Sequence, residues 1–250
     1  MRKNLIITAF VMLFSASSFA QTIETVDVSK AHDGKFSVTA ADCIIEGEVL
    51  NGQKVGTWIE YFTGDNYLPR KIVSFVDGKK NGAYVEIDKT GSITKKADYK
   101  DDQLDGQCSQ WYRGGRLSKM NTYKNGLMDG RQVICYDKGG LQEESNYKDG
   151  QRNGLTTWYN EDGAVKMSIE YKDGKFDGVQ MTYYQNGQLK SCKSYKANKQ
   201  HGDAKEYYEN GALKSEATYK EGKLSGKEKT YENKGEKPAE KQAVKPAKKN

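Results

Sequence analysis

Histidine is almost missing from this chain: only His32 and His201 occur in 250 residues. Neither has a partner at the spacing of a zinc site. His201 falls where sister segments carry Asp or Asn, so it reads as a solvated turn residue. Long hydrophobic runs are missing too. Past residue 20, no segment approaches the ~20 apolar residues that span a bilayer. The hydrophobic fraction, 36%, is low for a globular domain. There is no nucleophile elbow and no phosphate-binding loop, and the many glycines do not precede a helix. Acidic residues are plentiful but recur periodically, whereas a catalytic pair needs one asymmetric environment. The expectation is a non-enzymatic protein with no cofactor and no metal. An enzyme would need a singular cluster in the less regular segment 27–50, around His32, Asp33 and Asp42.

The N-terminus reads as a leader. Arg2 and Lys3 precede a short apolar run, Leu5 to Phe14, and Ser18-Phe19-Ala20 supplies small residues before a cleavage that leaves Gln21 first. This is a signal-peptide pattern over 1–20, and no Cys follows it to carry a lipid. The expected location is therefore exported, periplasmic or secreted.

The net charge of +6 is not a property of the body. Arg2 and Lys3 leave with the leader, giving +4, and residues 234–250 hold six Lys and two Glu, which is the same +4. A neutral body gives nucleic acid no basic face to bind. The tail 234–250, built of Lys, Glu, Pro and Ala, is expected to be disordered.

What the chain has in quantity is glycine and tyrosine, 26 and 17 residues, at a fixed period. Gly56, Gly82, Gly106, Gly130, Gly154, Gly178, Gly202 and Gly226 form one series, with a first gap of 26 and later gaps of 24. Phe75, Tyr99, Tyr123, Tyr147, Tyr171, Tyr195 and Tyr219 form a second, and Gly91 to Gly235 a third, both at 24. A fixed period of this length means a repeat architecture. Asn186-Gly187 and Asp162-Gly163 stand between short aromatic or β-branched runs, a hairpin signal. Each repeat is therefore a β-hairpin, and a turn such as Tyr171-Lys172-Asp173-Gly174 joins it to the next. The expected fold is all-β: stacked antiparallel hairpins forming an elongated single-sheet solenoid of sixteen strands. Residues 21–50 would be a cap and partial repeat, and 51–233 about eight repeats.

Offsets are counted below from the glycine that opens each repeat (Gly154, Gly178 and so on). Second strands alternate: Val165, Met167, Ile169 and Tyr171, at +11 to +17, lie on one face, and Lys166, Ser168 and Glu170 on the other. In the first strand two aromatic series compete. Tyr61, Trp111, Tyr159, Tyr183 and Tyr207 lie at +5; Phe62, Tyr112, Tyr136, Tyr184 and Tyr208 lie at +6. The +5 series is unbroken by charge and is the expected inward one. That leaves Tyr112, Tyr136, Tyr184 and Tyr208 as an outer ladder, the candidate partner-binding residues, against the plainer reading that these rings only pack over their neighbours. The turn position held by Gly174 and its sisters carries Asp102 and Asn198 in two repeats, which implies a left-handed backbone there. Asp77, Asp149 and Asp173 beside it read as turn formers, not calcium ligands. Cys43, Cys108, Cys135 and Cys192 occupy different offsets, so four free thiols are expected.

Gly56-Thr57-Trp58-Ile59-Glu60-Tyr61-Phe62 and Gly178 to Leu189 carry a pattern, G-x-W-x-x-Y-Y-x-x-G-x-L followed by Y-x-D-G-x-x-x-G, that resembles the MORN-repeat variant. The resemblance covers about residues 44–235. Many exported bacterial proteins of this kind carry the label YwqK-family antitoxin. It implies a binding or scaffold role in the cell envelope without catalytic residues. The partner would be a protein, or an envelope glycan or lipid. A membrane-surface or glycan-associated protein, and an antitoxin-like protein-binding partner, are the alternatives.

Overall fold

The computed structural model describes residues 21–64 and 67–233. Residues 1–20, read above as a leader, and 234–250, read as a tail, lie outside them. Among the described residues there are nineteen strands and no helix, and every pairing shown is antiparallel. This is the all-β hairpin repeat that the glycine and tyrosine periods imply.

The chain forms two compact units that divide after Gly139. The first contains β1 (Gly34–Thr39), β2 (Cys43–Leu50), β3 (Gln53–Phe62), β4 (Pro69–Val76), β5 (Lys79–Ile87), β6 (Ile93–Lys100), β7 (Gln103–Trp111), β8 (Leu117–Lys124) and β9 (Leu127–Cys135). The second contains β10 (Leu141–Lys148), β11 (Gln151–Arg152), β12 (Gly154–Tyr159), β13 (Val165–Lys172), β14 (Lys175–Tyr183), β15 (Leu189–Lys196), β16 (Lys199–Tyr207), β17 (Leu213–Lys220), β18 (Lys223–Leu224) and β19 (Lys229–Thr230). The count exceeds sixteen because residues 34–39 add a strand and two later strands are broken. One break falls at Asn153, whose N–H still donates to Asn146 O on β10 (2.9 Å) before the register with β10 shifts at Glu144–Thr157.

Two kinds of turn alternate. At Asp173-Gly174, φ is 49° and 74°, and Lys172 pairs with Lys175 across it. Two consecutive positive φ values make a type I′ turn, whose twist matches paired strands. Asp102 and Asn198 take φ of 66° and 69°, so the left-handed position read from their substitution for glycine is real. The second turn is longer. Around Asp162-Gly163 only the glycine has positive φ (85°), and Asn160 N–H donates to Ala164 O (2.8 Å). The tightest hairpin geometry therefore belongs to the turn between repeats, not to the Asn-Gly or Asp-Gly within them.

The buried line runs down one face through offsets +2 and +15, which pair directly. In the first unit it is apolar from β3 to β7, with Trp58, Val73 (its partner at +17 in the longer first hairpin), Tyr84, Ala97 and Cys108, and turns polar at Asn121 and Gln132. In the second it is mostly small or polar: Thr156, Ile169, Ser145 and Ala204. Phe75, which leads the aromatic series otherwise at +17, is buried, and Tyr99 to Tyr219 are half-buried. The second-strand alternation is as read for Met167, Ile169 and Tyr171, while Val165 lies beyond the bulge, paired with Tyr159.

The first strand departs from the reading. The +5 residues lie on the opposite face. Tyr61 pairs with Ile44, one step out of phase with the fully buried pair Ile45–Glu60. Tyr183 Oη reaches Met181 Sδ (3.4 Å), and Tyr231 Oη donates to Glu216 (2.9 Å); Met181 pairs with Ser168, and Ser168 and Glu216 are both +14 residues of the face away from Ile169. The cause is a bulge. Between Trp158 and Tyr159 the register advances one residue on β12 and two on β13. A slip of one flips the strand relative to its partner.

Candidate functional site

The four ladder tyrosines are half-buried at the ends of the hairpins. Tyr112 Oη donates to Cys135 O (2.9 Å), Tyr184 Oη to Tyr207 O (2.8 Å), and Tyr208 Oη to Tyr231 O (2.9 Å). Each acceptor is the +5 carbonyl of the next repeat. Tyr136 is also partnered. These hydroxyls stitch one hairpin to the next. The opposite ends are stitched by backbone: Gly126 N–H donates to Leu104 O, Gly174 to Arg152 O, and Gly222 to Gln200 O, at 2.8–2.9 Å.

Polar residues just before the opening glycine add to this second seam. Asp105 accepts from Asn125 N–H (3.0 Å) and Asp177 from Ala197 N–H (3.2 Å). His201 holds the equivalent place in β16, half-buried, with Nδ1 3.3 Å from Glu221 in the following turn. It is a strand residue facing the next turn, and not itself a turn residue as its sequence position suggested. The four thiols are free. Cys43 is the most constrained: burial first, then Glu60 and Asp42, push it up to about 11, away from thiolate chemistry.

Sequence reasoning missed two clusters. The first is on the inner face of the second unit. Arg152 lies against the rings of Tyr147, Trp158 and Tyr171, 5.5–5.6 Å from each centroid. It pairs with Glu143 (2.6 Å), which also accepts from Trp158 Nε1 (2.8 Å). Burial pushes the Tyr171 hydroxyl up. Beyond it, Tyr171, Phe176 and Tyr195 meet edge to face, with centroids 5.0 and 5.8 Å apart. Tyr219 continues this series one repeat on. The row presents half-buried rings at regular spacing beside small polar residues, Thr156, Ser191 and Ser215. The signal was available, because the +17 tyrosines formed the series that fixed the period.

The second cluster is in the first unit, where residues 21–33 lie over the inner face. Ile23, Val26 and Val28 are buried in the core of β2 to β7. Ile23 N–H donates to Glu60 Oε2 (3.1 Å), and Lys54 Nζ donates to Ile23 O (2.5 Å). Lys71 bonds both oxygens of Glu24 (3.1 and 3.0 Å). Glu60 is wholly buried and held by Arg70 Nε (2.7 Å), which also reaches Asp42 (3.1 Å). Burial pushes the Lys54 ammonium down. Of the residues singled out in 27–50, Asp42 belongs to this network, Asp33 caps the turn at Asn51 N–H (2.7 Å), and His32 is exposed. They do not converge. A shallow, open depression on the outer face is lined by Asn160, Glu161, Asp162, Lys166, Tyr183 and Gln185.

Comparison with known proteins adds the following. Residues 152–173, 176–197 and 200–221 match the model of the MORN repeat variant. The three matched repeats are consecutive and all lie in the second unit. No curated protein matches the chain. Among solved structures, the chain is similar to a porin-like protein from Bacteroides uniformis, at 13% identity over 74% of this chain and 92% of that one. The TM-score is 0.19, too low to argue from.

Proposed function

We propose that residues 51–233 are a run of MORN-variant repeats throughout, and that the chain is an exported, non-enzymatic binding or scaffold module of the cell envelope. The observation that carries this reading is the inner-face row of Tyr171, Phe176 and Tyr195 in the matched repeats. Aromatic rings with one edge packed and one edge wet are the side chains that dominate recognition surfaces. Repetition at 24 residues lets individually weak contacts add along one ligand. The partner is an envelope protein or glycan, and the leader-like residues 1–20 support export.

The ladder at +6 is assigned a structural role in this reading, because its hydroxyls are spent on the neighbouring repeat. The test uses the chain from Gln21 onward as bait for envelope extract. Capture should be saturable, should fall at least about tenfold in Tyr171→Ala/Tyr195→Ala, and should survive Tyr184→Phe. Capture lost in Tyr184→Phe but kept in the inner-face double variant would return the site to the ladder and overturn the assignment.

A further inference from the structure

The first unit contains a peptide-recognition site that is already filled. Most of a β-sheet face is covered by side chains packing on side chains. Here, by contrast, the main chain of one residue, Ile23, is read from both sides by charged groups. Glu60 accepts from its N–H (3.1 Å) and Lys54 donates to its carbonyl (2.5 Å). Glu60 is completely buried, with Arg70 fixing its second oxygen at 2.7 Å. A buried carboxylate and a buried ammonium aimed at a single peptide unit define where a backbone must lie. The side chains complete the register. Ile23, Val26 and Val28 enter the apolar face, and Glu24 meets Lys71 (3.0 Å) at the rim.

The occupant is attached by a largely exposed link. Ser29, Lys30, His32 and Asp33 are exposed, Ala31 packs at the core edge, Asp33 accepts from Asn51 N–H (2.7 Å), and Gly34 begins β1 with φ of 115°. Residues 21–28 contribute no strand of their own. The strap therefore holds by side-chain insertion and a few hydrogen bonds to β3 and β4, not by a ladder. The second unit starts at β10 with no comparable segment before it.

We propose that the inner face of β2 to β5 is an exchangeable peptide-binding groove, filled in cis by residues 21–33 and able to take the same segment from a second copy of the chain. Attachment in cis raises the local strap concentration to the millimolar range, so the intact chain hides the groove from a free peptide. Shortening the connector removes that advantage and hands the groove to a neighbour, the general route to a swapped dimer.

The test has two arms on the chain from Gln21 to Asn250. In the first, a protease site is inserted between His32 and Asp33, and a fluorescent peptide of residues 21–32 is added after cutting. The cut chain should bind it saturably, and the intact chain about 100-fold more weakly. Lys54→Met in the cut chain, or Ile23→Asp in the peptide, should abolish binding. A cut chain that never exchanges its own strap, or that loses its β-sheet signal on cutting, shows a fixed cap and overturns the proposal. In the second arm, Lys30 to His32 are deleted and mass is measured by light scattering. A dimer is expected; a folded monomer at about 100 μM refutes the second-copy occupant. The proposal concerns a different unit from the tyrosine row, so peptide exchange can fail while tyrosine-dependent capture stands, and the reverse.

Discussion

Gly47→Ala sets two physical effects against each other. A β-strand is a poor place for glycine. Replacing it by alanine removes unfolded-state freedom and is worth about 0.5–1 kcal/mol where the backbone allows it. Gly47 lacks the left-handed φ that most of the other glycines show, so the backbone does allow it. Sterics point the other way. Gly47 lies inside β2 where Trp58 crosses, and an added Cβ would run into the indole ring, against three of its atoms. The ring is completely buried. Its Nε1 donates to both Glu48 O and Val55 O (3.2 Å each), and Phe36 and Phe75 flank it with centroids 5.5 and 6.3 Å away. Moving it breaks that bifurcated bond, about 1 kcal/mol, and forces overpacking worth about 1–3 kcal/mol. The expected net loss is about 2 kcal/mol. The assay is hydrogen exchange on β2 and β3 with tryptophan fluorescence in denaturant, since a repeat array need not unfold in one step. Combining Gly47→Ala with Trp58→Phe should recover part of the loss. A neutral or stabilised Gly47→Ala protein would refute the packing argument.

Two further outcomes are expected. Ala197 holds φ of 47° at a turn position where every sister repeat but that of Glu221 places Asn or Asp, so Ala197→Asn should raise local stability by about 0.5–1 kcal/mol, read as slower exchange at Lys196 and Lys199. The strap should respond to acid. Burial raises the Glu24 carboxyl, but the Lys71 hydrogen bond and charge outweigh it, so the group ends below its ordinary 4.5. A depressed carboxyl contributes stability that is fully present above 4.5 and is lost as pH falls through the folded value. Strap protection should therefore be flat from pH 5 upward and decline below 4.5, and Glu24→Gln should remove that decline.

Local rules carried a good part of the fold. Asp102 and Asn198 in a glycine series announced a left-handed backbone because few other residues tolerate it, and both adopt it. The second-strand face was legible because Val165 to Tyr171 is an uninterrupted run of alternation. The first-strand face was not, because counting across the loop assumes one residue opposite one, and the bulge at Trp158/Tyr159 places two opposite one. The ladder was visible as a column of rings, but the acceptors of Tyr112, Tyr184 and Tyr208 lie 23 residues on and are backbone atoms with no sequence signature. The strap was invisible for a similar reason. Its partners, Lys54 and Glu60, lie 31 and 37 residues from Ile23, outside any repeat register.

The tyrosyl seam also sets where this chain can change length. A hydroxyl that must reach the next repeat's carbonyl fixes the height of one hairpin end against its neighbour. Phe62 has no hydroxyl, and its own hairpin is the one carrying two extra residues, in the 26-residue gap from Gly56 to Gly82. After Tyr112, Tyr184 and Tyr208 the spacing stays at 24. Whole 24-residue units can be gained or lost with both seams kept, while a residue inserted at a phenol-tied hairpin end would carry the hydroxyl away from its carbonyl.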